Sequence, residues 1–296
     1  MAEPLGSEAP LAPGLYLVAT PIGNLEDISL RALRVLRHAD RIACEDTRTT
    51  GKLLHHYGIT TPTVSYHMHN ERERSAELVA QLQNGARVAV VSDAGMPGIA
   101  DPGAEIVRAA AAAAVPVFTI PGANAALCAL TSSGLHAEHF AFRGFLPSKA
   151  GERRTALEAV LAEMKAAEAP GTQVFYETPH RIVDALADVV AVFGAAHRVA
   201  LARELTKLHE EILRGSAGEI HGSLAARDQV RGEMVLLLSG ELGTAAAAGQ
   251  SSLSEAVRTL LRTGMAEKDA LKQVARERGM GKSDAYREWQ RTRGKG

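Results

Sequence analysis

Short apolar runs alternate with longer amphipathic stretches along most of this chain. Residues 14–19, 41–44, 63–66, 87–91 and 115–120 are rich in β-branched and other apolar side chains and end in turn residues. They are too short for stable helices, so each predicts a buried strand. Between them apolar positions recur three and four apart. Leu30, Leu33 and Leu36 predict a helix over 30–38, and Leu78, Val79 and Leu82 predict another. Residues 104–114 form a third candidate, with Asp101 as its N-cap and Pro102 in its first turn. An alanine-rich fourth stops at Gly134. Strand and helix in alternation predict a parallel sheet with crossover helices.

Residues 136–149 read as a connection, after which the alternation restarts. Helices are expected over 152–167 and 182–193, and strands over 173–176, 198–202, 210–214 and 233–239, with a polar segment before the last. Residues 241–252, including four alanines in a row, read as a linker. Residues 253–296 carry three amphipathic helix patterns separated by glycines, with apolar faces drawn from Leu260, Leu261, Leu271, Val274, Tyr286 and Trp289. The expected organisation is a disordered tail over 1–13, an α/β domain over 14–135, a second over 136–240, the linker, and a small helical domain over 253–296, of the helix-turn-helix kind.

Three expected strands of the first half run into loops of small residues: 20–24, 93–98 and 121–125. The loop after 87–91 is the sharpest, because prolines lack the amide a ladder needs and glycines reach backbone angles closed to other residues. In an open α/β sheet, ligands bind outside the carboxyl ends of the strands. Three such loops at one edge would make a floor that a flat ligand approaches at backbone distance. The competing possibility is that these are only tight βα turns.

The chain has 296 residues, 46% hydrophobic and 23% charged, with a net charge of −1. No apolar run reaches the roughly 18 residues of a membrane helix, and residues 1–13 lack the basic and apolar regions of a secretory signal. Cys44 and Cys128 are too few and too far apart for a disulfide framework or a zinc site, which suits a reducing cytoplasm. The mean charge hides an asymmetry: residues 253–296 hold 11 Lys/Arg against 6 Asp/Glu, and the rest is acidic. A basic appendage on an acidic body fits contact with a polyanion, or simply a solvated Arg-rich helix face. Walker, dinucleotide-fingerprint and nucleophile-elbow motifs are all missing. His67 and His69 could share one strand face, but no further ligand stands at a telling distance, so no metal is expected.

Six blocks together resemble the tetrapyrrole-methylase superfamily, and within it the branch that modifies ribosomal RNA. They are Leu15 to Ile28 (LYLVATPIGNLEDI), Glu45-Asp46-Thr47-Arg48, residues 91–103, Pro121-Gly122, Tyr176 to Arg181 (YETPHR) and Ala202 to Lys207 (ARELTK). The resemblance covers about residues 14–240. It implies two α/β domains with S-adenosylmethionine in the cleft between them, usually a homodimer, and methylation of the ribose 2′-hydroxyl of a decoding-centre cytidine in 16S rRNA of the small subunit. Met96 stands where that branch usually has Thr, and a thioether can pack against an adenine or a sulfonium.

The cofactor would then meet Pro21 and Gly23 from the first loop, Asp93, Ala94, Gly95, Met96, Pro97 and Ile99 from the second, Pro121, Gly122, Ala123 and Ala125 from the third, and Tyr176. A hydroxyl is a poor nucleophile until its proton has somewhere to go. Candidate groups at strand ends are Asp27, Glu45, Asp46, Glu177, Glu204 and Lys207. Arg48, Arg181 and Arg203 could hold phosphates or pair with those acids. Lys268, Lys272, Arg276, Lys282 and Arg287 in the tail could neutralise RNA phosphates. Tyr286 and Trp289 could stack on bases or form core. Two other readings remain: a methylase of small tetrapyrroles, for which a basic tail has no use, and a non-catalytic RNA-binding protein on a vestigial methylase fold.

Overall fold

The computed structural model describes residues 10–242, 257, 260, 261, 265–277, 281, 285–287, 289 and 290. By its contacts the chain divides into two units, Met1–Glu241 and Leu242–Gly296.

Five strands of the first unit form one sheet: β1 (Gly14–Val18), β2 (Arg41–Cys44), β3 (Thr63–Ser65), β4 (Arg87–Val91) and β5 (Val117–Ile120). Their order is β3-β2-β4-β1-β5 and all neighbours are parallel. Every strand therefore ends at the same edge. Side-chain alternation divides the burial between two faces. Tyr16, Val18, Ile42, Ala89 and Val91 pack against Ala32, Val35 and Leu36 of α1 (Leu30–His38) and Leu54 of α2 (Thr47–His56). Leu15, Ala43, Val88 and Val90 pack against Leu78 and Leu82 of α3 (Glu71–Gln83) and Ile106 and Ala110 of α4 (Ala104–Ala112).

The helix after β5 breaks this pattern. Ala126, Ala129 and Leu130 of α5 (Ala125–Ser133) pack on a second sheet, against Val174, Ala200, Ala202, Val235 and Leu237. That sheet runs β6 (Phe140–Phe145), β7 (Thr172–Glu177), β10 (Met234–Leu238), β8 (Arg198–Arg203), β9 (Glu211–Ser216). Only β6 and β7 are parallel; the other pairs are antiparallel. Helices α6 (Ala150–Ala166), α7 (Ile182–Phe193) and α8 (Ala217–Ala225) complete this half. Asp188 on α7 pins α6, accepting from Arg153 Nε at 2.7 Å and Arg154 Nε at 2.5 Å.

Several expectations need correction. The connection expected over 136–149 contains the edge strand β6; it pairs on one side only and its aromatic residues are partly exposed, so it lacks a buried strand's apolar run. The polar segment before β10 contains α8, opened by a capping box in which Ser216 and Glu219 satisfy each other's amides. The polar cluster 45–48 starts α2, whose threonines and Gly51 are weak helix formers. Asp46 caps that helix, accepting from the Arg48 amide at 2.8 Å. Asp101 is not the N-cap of α4: Gly103 occupies that place, and no side chain of its own caps the helix. Residues 10–13 are not a free tail, since Leu11 is buried in the first core and the Tyr16 hydroxyl donates to Ala12 O at 2.7 Å.

The second unit contains α9 (Glu267–Glu277) and a core of its own in which Val257, Leu271, Val274, Ala285 and Trp289 are buried. Trp289 is thus a core residue, and Tyr286 beside it is exposed. Lys282, residues 1–9 and most of the expected linker lie outside the described residues, as does the side chain of Arg276. Among the described residues no helix is long and apolar enough to cross a membrane.

Candidate functional site

Two of the small-residue loops are tied together at the carboxyl edge of the first sheet. Thr20 and Gly95 exchange both backbone hydrogen bonds, at 2.9 and 3.0 Å, and the buried Thr20 hydroxyl donates to Ser92 O at 3.2 Å. Gly95, with φ +83°, sits in the left-handed region this contact requires. The third loop lies alongside, because a Cβ on Gly122 would meet Ala19 Cβ at 2.8 Å. The second sheet faces this edge, brought there by α5.

Between them lies a cavity of about 410 Å³. The first half contributes Ile22, Glu45, Asp93, Ala94, Gly95, Met96, Ile99, Ala100, Asp101, Asn124 and Ala125. The second contributes Phe145, Tyr176, Glu177, Thr178, Pro179, Ala202, Leu205, Glu233, Met234 and Val235. The lining holds five carboxylic acids and no lysine, arginine or histidine. Such a hollow disfavours phosphates and favours a ligand with positive charge.

Of the expected cofactor residues, Asp93, Ala94, Gly95, Met96, Ile99, Ala125 and Tyr176 line the cavity. Pro21, Gly23, Pro97, Pro121, Gly122 and Ala123 build the loops behind them and do not line it. Gly23 has a different neighbour: a Cβ there would meet Lys207 Cγ at 2.5 Å. Tyr176 is framed edge-on by Phe142 and Phe145, with ring centroids 4.9 and 5.6 Å away. Phe145, Asn124, Glu233 and Asp101 escaped the sequence reading. Asn124 and Asp101 nevertheless lie in the 121–125 loop and the 91–103 block, and Phe145 is an aromatic in a run otherwise read as a connection, whereas Glu233 carried no signal.

The expected catalytic residues separate by their partners. Asp27 lies exposed on the 3-10 turn Leu25–Asp27, outside the cavity lining. Asp46 is held near 2 by hydrogen bonds from Arg48, whose Nη2 is 2.9 Å away. Glu177 is buried and accepts from Arg181 Nη2 at 2.9 Å and from the Thr178 amide at 2.8 Å. Lys207 Nζ donates to Glu204 at 2.8 Å and Glu233 at 3.0 Å. Burial pushes its pKa down, but those two carboxylates outweigh burial and the net direction is up. It is a protonated latch rather than a base. The latch rests on a contorted segment, because Glu204 and Thr206 both have positive φ, +52° and +65°. Glu45 alone of the six lines the cavity without a lysine or arginine paired to it among the described residues.

The arginines are similarly engaged. Arg48 binds Asp46, and Arg181 also donates to Leu146 O at 2.6 Å. Arg203 and Arg227 share Glu211, with distances of 2.8 to 2.9 Å. In the second unit Lys268, Lys272 and Arg287 are exposed.

A family profile described as Tetrapyrrole (Corrin/Porphyrin) Methylases matches residues 14–221. A protein of Halalkalibacterium halodurans called ribosomal RNA small subunit methyltransferase I is 47% identical over 269 residues, 89% of this chain and 90% of its own. One of the same name from Pseudomonas aeruginosa is 47% identical over 83% of this chain and 85% of its own. Among solved structures, the crystal structure of uroporphyrin-III-C-methyltransferase from Thermus thermophilus superposes with a TM-score of 0.52 at 21% identity, over 77% of this chain and 94% of that one. That similarity concerns the fold. By the profile match over residues 14–221 and the 47% identity across most of both chains, the chain belongs to the ribosomal RNA small subunit methyltransferase I family of the tetrapyrrole methylases.

Proposed function

We propose that this chain transfers the methyl group of S-adenosylmethionine to the ribose 2′-hydroxyl of a decoding-centre cytidine in 16S rRNA, acting in the cytoplasm as a homodimer on the small ribosomal subunit. The observation that carries the reading is the charge of the cavity, together with glycine-bent backbone tied by the Thr20–Gly95 exchange. Glu45, Asp93 and Asp101 line the wall without a lysine or arginine partner among the described residues, and Glu177 and Glu233 are paired with Arg181 and Lys207. S-adenosylmethionine has no phosphates and a sulfonium beside an ammonium, so it fits an acidic hollow of this size. When bound, it supplies an electrophilic methyl carbon on a leaving thioether.

The residues of the chain do the rest. Backbone of 93–96 and 124–125 fits against the flat purine and ribose, and Ile22, Met96, Leu205 and Val235 exclude water. Asp93 is aimed inward because its Oδ1 accepts from the Asp46 amide at 3.2 Å, which leaves its second oxygen for a hydroxyl or ammonium. Alignment within about 3 to 3.5 Å supplies much of the rate of an in-line displacement. RNA phosphates avoid the acidic lining and are neutralised instead by the basic second unit.

The test is to incubate the protein with small subunits lacking the modification and with methyl-labelled cofactor, then digest the RNA to nucleosides. Label on 2′-O-methylcytidine is expected. Label on a base, or transfer to a porphyrin precursor but not RNA, would overturn the reading.

A further inference from the structure

The start of α4 is capped by the wrong residues. Asp101 stands two positions before the N-cap Gly103, too early in the chain to cap α4, and Gly103 has no side chain to do so. The first-turn amides are satisfied from α3 and the end of β3 instead: Glu71 Oε1 accepts from the amides of Gly103 at 3.1 Å and Glu105 at 3.3 Å, and the Tyr66 hydroxyl accepts from the Ile106 amide at 3.2 Å. The chain meanwhile turns Asp101 away from the helix. Ala100 is held at φ +61°, a strained angle for a residue with a side chain, and the Gly98 amide closes the loop on Pro102 O at 3.1 Å. The result is a half-buried carboxylate facing the cavity.

We infer that Asp101 is the catalytic base, taking the proton of the methyl acceptor's hydroxyl. The inference rests on the ribose-methylation reading and adds to it the group that reading lacks. Asp46, Glu177 and Glu204 are each bound to a cation and cannot gain basicity from their surroundings. Asp93 spends one oxygen on the Asp46 amide, and Glu45, just after β2, has a pKa that is also pushed up by burial and by Asp93 but with His67 opposing the rise. Asp101 has no lysine or arginine partner among the described residues, and its charge is felt by Tyr176 from the opposite sheet. It therefore stands where the two halves meet.

Its surroundings tune it for the task. Burial first, then the charges of Glu45 and Asp93, push its pKa up to about 6, against a smaller opposing hydrogen bond from Ser92. It is ionised at neutral pH yet holds a proton far better than an ordinary carboxylate, as general-base catalysis favours. In the step, the hydroxyl oxygen forms a bond to the methyl carbon while the carbon–sulfur bond breaks. The electron pair stays on sulfur, which becomes a neutral thioether, and the hydroxyl proton passes to the Asp101 carboxylate. One sulfonium and one carboxylate thus become one thioether and one carboxylic acid.

Two measurements test this. In the free full-length protein with ¹³C-labelled aspartate, carboxyl NMR should show one resonance titrating near 6. It should vanish in Asp101→Asn and move to lower pH in Glu45→Gln. Asp101→Asn should then lower kcat by about 10²-fold or more, far more than it weakens cofactor affinity by calorimetry, with the melting temperature near wild type. Asp101→Glu should recover part of the rate. The acid limb of the wild-type rate should fall at or below that pH, and Glu45→Gln should shift it further down. Wild-type methylation of the ribose at an unchanged rate in Asp101→Asn, or an elevated titration that survives the substitution, would sink the assignment and leave the ribose reading intact. Wild-type label on a base would sink both.

Discussion

Gly103 shows how little freedom the loop before α4 retains. Its φ is +144°, and an added Cβ would sit 2.9 Å from Gly98 N and 3.2 Å from Gly98 Cα, both backbone atoms that cannot swing aside. Gly103→Ala should cost about 1–3 kcal/mol of stability, read as a lower denaturant midpoint, and should lower kcat because the same loop aims Asp101. Glu211 is a residue of another kind, a structural carboxylate. Hydrogen bonds from Arg227, and then Arg203, outweigh burial and hold it at about 2 against an ordinary 4.5. A depressed folded-state pKa adds stability that is complete above the unfolded value and lost as pH falls through the folded one. Urea unfolding measured between pH 5 and pH 2 should therefore show wild type losing stability more steeply than Glu211→Gln, the two curves converging at the acid end. Arg203, a candidate for phosphates in the sequence, is occupied by this pairing.

At the scale of elements, α5 decides the geometry of the cavity. It follows a strand of the first sheet but buries its apolar face on the second, so the two sheets cannot separate without exposing Ala126, Ala129 and Leu130. Leu130→Ala should cost about 2–5 kcal/mol and also reduce cofactor affinity. Leu157→Ala on α6, fully buried but away from the cavity lining, should cost a similar amount and leave affinity unchanged. Paired denaturant and calorimetric titrations of the two variants check this; equal affinity losses would mean that α5 has no special part in holding the cleft. The edge strand β6 escaped the sequence reading for a related reason. Its register shifts between Phe142 and Phe145, where Gly144 has φ +68°, and this breaks the alternation by which a strand is recognised.

For the whole molecule, charge is divided by task. The cavity is acidic, whereas Lys268 and Lys272 are exposed one turn apart on α9. Lys268→Glu with Lys272→Glu in the full chain should weaken RNA binding and flatten the slope of log affinity against log salt, since each lost phosphate contact removes about 0.7–0.9 from that slope. Cofactor affinity should not change. Filter-binding across a salt series, with calorimetry alongside, gives both numbers, and an unaltered slope would remove α9 from the RNA-binding surface.

The sequence alone determined the alternating αβ pattern, the strands of the first sheet within a few residues, and the three small-residue loops at strand ends, because periodicity and turn chemistry are local. Six of the residues around the cavity in the loop 93–99 and at 125 were legible for the same reason, and Tyr176 through the family resemblance. Tertiary structure decided the rest. Whether an acid is free, a cap or half of an ion pair depends on neighbours far along the chain: Glu71 caps α4 from 32 residues before Gly103, and Glu211 is engaged only because Arg227, 16 residues later, folds back on it. Local patterns specify which backbone forms, whereas the charge state and aim of a side chain are set by what the fold brings beside it.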